Sequence, residues 1–219
     1  MAHRVIKGLV GGCALLLGVT VTGCAAPQYT YVANSSQNTY FKVPHNWHEI
    51  ASGALNHELQ QLTGSSGAGW MVAYEAGSKP TASDFLSFDT SQPFVFAEVG
   101  TLSSTASQEL SYDSLEDMFG LPVSSAARQQ VQSGYPLVDF KSLRDQDLTP
   151  GQGVHGVRET FDYTDDQDNV TDTFDEVALT NADQTEVYLL VLHCTSTCYQ
   201  NDQTEINDVM SSFTIRSSS

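Results

Sequence analysis

Basic side chains are scarce: the 219-residue chain carries 9 Lys+Arg against 26 Asp+Glu, a formal net charge of −17. Residues 1–23 hold Arg4 and Lys7 and no acid, so without them 7 basic and 26 acidic side chains remain, a net −19. A domain this acidic repels phosphate backbones and anionic headgroups, which excludes nucleic acid as a partner. No apolar run reaches the roughly 20 residues that a bilayer-spanning helix needs. Catalytic signatures are missing as well. His57-Glu58 begins an H-E-x-x-H pattern, but Gln61 stands where the second His belongs. GSSGAG (64–69) has Ala68 in place of the last Gly of a G-x-S-x-G elbow, and it lacks the Lys and Ser/Thr of a phosphate loop. No Ser–His–Asp set follows from spacing, since geometry defines such sets. No internal repeat or long low-complexity block occurs. The apolar share of 40% is enough for a core, which excludes wholesale disorder.

The first 24 residues, MAHRVIKGLVGGCALLLGVTVTGC, join a short cationic start to sixteen uncharged residues from Gly8 to Gly23. That is the pattern of a secretory signal peptide over 1–23. Val21-Thr22-Gly23-Cys24 resembles the lipobox of bacterial lipoproteins. There the thiol is alkylated with diacylglycerol, cleavage leaves the Cys at the new N-terminus, and a further acyl chain (palmitate) follows. The resemblance makes Cys24 the lipidation site; Cys13 would leave with the signal peptide. Stable anchoring takes two membrane signals, and each buried methylene contributes about 0.8 kcal/mol. A −19 domain gets no help from anionic lipid, so the acyl chains must anchor it by themselves. AAPQYTYVANSSQN follows without a charge, and we expect a flexible tether over 24–38. Asn34-Ser35-Ser36 and Asn169-Val170-Thr171 match the glycosylation sequon by chance.

One domain is expected over 39–219. TYFKVP alternates as a strand ending at Pro44. HEIASGALNHELQQL has helical spacing, WMVAYEAG and PFVFAEVG read as strands, and a short helix including Phe85, Leu86 and Phe88 lies between them. Residues 101–111 read as a Ser-rich loop. SYDSLEDMFG reads as a short helix capped by Ser114, and SSAARQQVQ as another. PLVDFKSL, GVHGVRETFDY, VTDTFDEVALT and TEVYLLVLH are strands separated by Asp- and Asn-rich turns. The alternation changes phase between Phe174 and Val177, which predicts a bulge there. VYLLVLH is apolar on both faces, as a covered central strand would be. In NDQTEINDVMSSFTIR, Ile206, Val209, Met210 and Phe213 define a helix face, and Asp202 with Glu205 imitates a capping box. Consecutive strands with tight turns mean an antiparallel sheet, and helices before and after it give an α+β fold.

VPHNWHEI, PGQGVHGVRETFDYTD, VYLLVLHCTSTC and EINDVMSSFTIR together resemble actinobacterial surface lipoproteins whose fold is similar to the PsbP protein of photosystem II and to the LpqN type. The resemblance runs from Tyr40 to Arg216. It implies a PsbP-like α-β-α sandwich that serves binding and assembly more than chemistry. It carries over no metal or catalytic residue, because no such residue of the photosystem protein matches a position here.

Two features of the mature chain bear on chemistry. Cys194 and Cys198, in HCTSTC, are expected to form a structural disulfide, because thiols outside the membrane oxidise. Two free thiols, or a redox or metal pair completed by His193, are the rival readings; the spacing is not that of C-x-x-C. Ten carboxylates lie between Glu159 and Glu186. Asp165, Asp166 and Asp168 form a hairpin tip that offers oxygens for calcium, although no Gly follows Asn169 as an EF-hand loop requires. A solvated hairpin is the simpler reading. Trp47 reads as a core anchor, His45 and His48 as surface residues, and the glycines of GVHG (153–156) as sites of close backbone approach.

The expectation from sequence is a non-catalytic, lipid-anchored binding or assembly module on the outer face of the cytoplasmic membrane, with no cofactor. Its partners would be the membrane, through the diacylglycerol anchor, and envelope proteins or cationic surfaces. The alternative is an envelope enzyme, or a small-ligand or metal-ion binding lipoprotein, with a pocket between sheet and helices. The alternative rests on the carboxylates and on His45, His48, His57 and His155.

Overall fold

A computed structural model describes residues 28–63, 69–77, 79–87 and 90–216. Cys24, Cys13, the signal peptide, residues 64–68 of GSSGAG and Phe88 lie outside the described residues. In chain order the elements are β1 Tyr29–Asn34, β2 Thr39–Pro44, β3 His48–Ile50, α1 Ser52–Thr63, β4 Gly69–Glu75, a 3-10 turn Ala82–Leu86 and β5 Phe94–Thr101. Then come α2 Ser104–Glu109, α3 Tyr112–Glu116, α4 Ser125–Gln130, β6 Leu137–Gly151, β7 Val154–Asp165, β8 Thr171–Thr180 and β9 Glu186–Thr195. The chain closes with α5 Ser196–Asn201, α6 Gln203–Met210 and β10 Thr214–Ile215.

The expected α+β architecture is what these elements build. Seven strands form one antiparallel sheet in the order β3-β4-β5-β9-β8-β7-β6, and β1-β2-β10 form a small second sheet. VYLLVLH lies in β9, the middle strand of the seven. Its alternate residues feed two cores. Tyr188, Leu190 and Leu192 join Phe41, Val43, Ile206, Val209 and Met210 on the side of the small sheet and α6. Leu189 and Val191 join Phe96, Phe161, Phe174, Leu55 and Leu115 on the side of α1 and α3. A strand covered on both faces needs apolar residues at consecutive positions, and this one has them.

Several boundaries differ from expectation. Residues 29–34, expected to lie within a flexible tether, form β1, which pairs antiparallel with β2 and buries Val32 in the core; residues 24–27 lie outside the described residues. The folded domain therefore includes residues from Tyr29 on, ten before the expected boundary at 39. Residues 101–111 contain α2, whose Ser103 side chain caps the Ala106 N–H. The cap of α3 is Ser111, which exchanges bonds with Ser114. The C-terminal segment is two helices followed by a strand. Ile206, Val209 and Met210 are buried in α6, Phe213 packs just beyond it, and Asp202 makes no side-chain cap bond.

The bulge expected in β8 is absent: Thr171–Thr180 pairs residue for residue with β7 and, from Asp172 on, with β9. The irregularities fall in β6, at Val138/Lys141, Ser142/Arg144 and Leu148/Gly151. Bulges and exposed charges blunt that long edge strand. The glycines of GVHG do mark close approach. A Cβ at Gly156 would lie 2.0 Å from the Ala178 carbonyl oxygen, and one at Gly153 (φ +81°) 2.4 Å from the Ala182 Cβ.

Cys194 and Cys198 are joined by a disulfide at the corner between β9 and α5. Closing so short a loop removes about 2 kcal/mol of unfolded-chain entropy. Scanning calorimetry with and without dithiothreitol should show the reduced protein melting about 4–8 °C lower. An unchanged midpoint would mean that α5 and α6 hold the corner without the bond.

Candidate functional site

Strand parity creates the site. Asp145 on β6 pairs with Glu159 on β7, and Glu159 pairs with Glu176 on β8, so three carboxylates form a row across neighbouring strands. The row continues through Val191 and Phe96, which places it on the face covered by α1 and α3. Above it, α3 packs on β7 and β8. Leu115 of α3 is buried in that core, and Glu116 ends the helix beside it. One carboxylate oxygen each from Glu116, Asp145 and Glu159 lies within 4.8 Å of the others. Among the described residues this is the one such group of three His, Cys, Asp or Glu side chains.

The cluster grades from water to core. Asp145 is exposed, Glu116 half-buried and Glu159 only 3% exposed, while Glu176 is fully buried. Burial raises the Glu159 carboxyl to about 8; the Asp145 charge, a hydrogen bond shared with the Asp145 side chain and the Glu116 charge add to that, and an N–H bond from Gln146 opposes it. Burial likewise holds Glu176 well above the carboxylate range, with Asp117 and Glu159 adding to it and the Phe119 N–H opposing. Neither Glu176 oxygen makes a hydrogen bond of ordinary geometry, and Glu159 Oε1 makes none. Glu116 is raised by burial first, then by Asp113, Asp145 and Asp117, with Arg128 opposing. Chemically the cluster can share protons or chelate a cation; it offers oxygens alone.

The other acids of the region have protein partners. Asp117 accepts the Val123 and Ser124 N–H groups at 2.7 and 2.8 Å and the Ser124 hydroxyl at 2.7 Å, which ties down the loop after α3. Asp175 points to the opposite face of the sheet from Glu176. It takes both prongs of Arg158 there and the Tyr199 hydroxyl. At the hairpin tip, Asp165 accepts the Gln167 and Asp168 N–H groups at 2.7 and 3.2 Å, so it shapes its own turn. Asp166 and Asp168 are exposed, and the three do not form a group of converging oxygens.

Among the described residues, no histidine belongs to a converging group of potential metal ligands. His45 faces Thr30, His48 and His57 are exposed, and His155 is held between the Gly153 carbonyl and Gln184. His193 is buried against the Phe174 ring, centroids 5.2 Å apart, with Asp172 at 3.7 Å. Trp47 is buried, as expected, and its indole N–H donates to Glu205. Among the described residues, the two larger open clefts lie against the sheet. One of about 600 Å³ includes Asp117, Leu121, Val131 and Tyr135; the other, about 580 Å³, includes Arg158, Leu148, Met210 and Phe213.

Reading the sequence placed Glu159 and Glu176 in an acidic run but did not separate them from its solvated members, and it did not single out Glu116 or Asp145. One signal was present. In a strand covered on both faces, adjacent acids such as Asp175 and Glu176 must both be buried, and each then needs a neighbour or a proton.

No protein-family model and no curated protein matches the chain. Among solved structures it is similar to the cyanobacterial PsbP (CyanoP) of Synechocystis, with 15% identity, a TM-score of 0.49 and coverage of 94% of this chain and 99% of that one. It is similar to a Pseudomonas aeruginosa protein of unknown function at 11% identity and a TM-score of 0.46, covering 88% and 100%. It is also similar to the Saccharomyces cerevisiae Ran-binding protein Mog1p at 7% identity and a TM-score of 0.44, covering 85% and 95%.

Proposed function

We propose that the chain is a lipid-anchored, non-catalytic binding module of the cell envelope, held at the outer face of the cytoplasmic membrane through Cys24. In this reading it is a surface lipoprotein of the actinobacterial, PsbP-like and LpqN type. The observation that carries the proposal is that Tyr29, five residues beyond the lipobox cysteine, is already paired in β1. Five extended residues span at most about 18 Å. A lipid on Cys24 would therefore hold the small sheet close to the headgroups, and the domain would meet partners already in or on the envelope. The −19 charge of the mature chain favours partners with a positive surface. Open clefts support binding by surface more than turnover in an enclosed pocket.

Intact-mass analysis of the protein extracted from membranes tests the anchor. The expected mass is that of a chain beginning at Cys24 with diacylglycerol and an N-acyl group. Cys24→Ala should leave the signal peptide uncleaved and the cysteine-linked lipid absent. An unmodified N-terminus on the exported wild-type protein would overturn the reading.

A further inference from the structure

We propose that Glu116, Asp145 and Glu159 form a binding site for one hard divalent cation, calcium foremost, with Glu176 as its inner wall. This inference concerns the folded domain and stands whether or not Cys24 is lipidated.

The first argument is a contrast within one protein. Asp117, Asp165 and Asp175 are each met by N–H, hydroxyl or guanidinium donors. In the cluster, Glu159 is 3% exposed yet its Oε1 has no hydrogen-bond donor. Glu176 is fully buried and faces the same side of the sheet directly opposite Glu159; the Phe119 N–H acts on it, but neither of its oxygens makes a hydrogen bond of ordinary geometry. Buried oxygens without donors cost free energy unless something else meets them. A cation would do so for the converging oxygens, and its field would reach Glu176 behind them.

The second argument is charge. None of the described ion pairs includes Glu116, Asp145, Glu159 or Glu176. The cationic group acting on the cluster is Arg128. Its Nε is committed to the Val123 carbonyl, and its guanidinium lies over the Phe140 ring, 4.1 Å from the centroid.

The third is the donor set and its spacing. Carboxylate oxygens without nitrogen or sulfur suit hard ions. Calcium binds oxygens at roughly 2.4 Å, so two oxygens on opposite sides of it stand about 4.8 Å apart, which is the limit within which these three lie. Magnesium needs a tighter octahedron, and the protein would have to draw the cluster in to form it. Exposed Asp145, on the edge strand, supplies the entry path and room for waters to complete six to eight ligands.

Calorimetric titration of calcium chloride into the metal-stripped full-length protein in detergent tests the proposal. One calcium per chain is expected, with a dissociation constant on the order of 0.1–1 mM, the range of extracellular modules. Glu159→Gln and Asp145→Asn should each weaken it at least tenfold. Asp145 is exposed at an edge, so its variant should keep the wild-type circular dichroism spectrum and thereby separate lost ligation from lost folding. A double Asp165→Asn, Asp168→Asn variant should bind as wild type. The proposal is overturned if about 10 mM calcium gives no saturable heat, if the hairpin variant alone loses binding, or if zinc binds more tightly than calcium at the same cluster.

Discussion

Replacing Asp175 by alanine should cost about 3–5 kcal/mol of stability, read as a drop in the urea midpoint at constant slope. Asp175 is completely buried. Its Oδ1 accepts Arg158 Nε at 2.9 Å, and its Oδ2 accepts Arg158 Nη2 at 2.7 Å and the Tyr199 hydroxyl at 2.8 Å. Arg158 reaches on to Asn207 of α6 at 3.1 Å, and Arg144 of β6 stands 3.9 Å from the carboxylate. One side chain thus ties β6, β7 and β8 to both C-terminal helices. Without it, a guanidinium whose side chain is 13% exposed keeps its charge and loses its counterion. Uncompensated buried charge, more than the lost bonds, sets the size of the effect. The companion variant Asp175→Leu with Arg158→Met removes both charges together and should recover most of the loss. A single-variant cost below about 1 kcal/mol would mean that water reaches Arg158 and that the network matters little.

The same pair of acids explains what the sequence revealed and what it hid. β9 was legible because VYLLVL (187–192) is apolar at six consecutive positions, so a central, doubly covered strand was the one reading of it. β8 was misread at Asp175-Glu176, where alternating acids and apolar residues changed phase and implied a bulge. The strand runs on without one, because tertiary packing sets the place of each acid: Asp175 meets Arg158, 17 residues away, and Glu176 is buried opposite Glu159, where desolvation pushes its carboxyl well above the usual range. Local pattern contains neither answer. The tether was misjudged for a related reason: a polar, uncharged segment looks unstructured until β2 is available to pair with it. Of the carboxylate cluster, the sequence displayed every member and none of the geometry. Glu116 and Glu159 meet through the packing of α3 on β7, and Asp145 joins them through the β6–β7 register, which shifts at its bulges in a way no periodicity predicts.

Raising the pH of the metal-free protein from 5 to 8 should lower its unfolding free energy by about 2–4 kcal/mol, an effect large enough to dominate its urea melts. Glu159 binds its proton more tightly in the folded chain, up to about 8 against an ordinary 4.5, and Glu75 does so up to about 7 through burial and then Asp84. Glu176 shares the direction. The folded state therefore gains from these protons below about pH 4.5, and loses that gain as the pH climbs through each folded value. Were Glu159 sealed from water, its displacement alone would be worth about 5 kcal/mol. The exposed neighbour Asp145 admits solvent, and that cuts the figure to about half. The groups facing Glu159 are Asp145, Glu116 and Glu176, all acids, so no partner reverses the sign. Glu159→Gln should flatten the profile between pH 5 and 8 and raise stability at pH 8, because a neutral amide needs no proton to stay buried. Glu75→Gln should remove a smaller, separate portion that ends near pH 7. Equal stability of the wild type at both pH values would mean that the cluster ionises freely, and that β7 and β8 open to water around it.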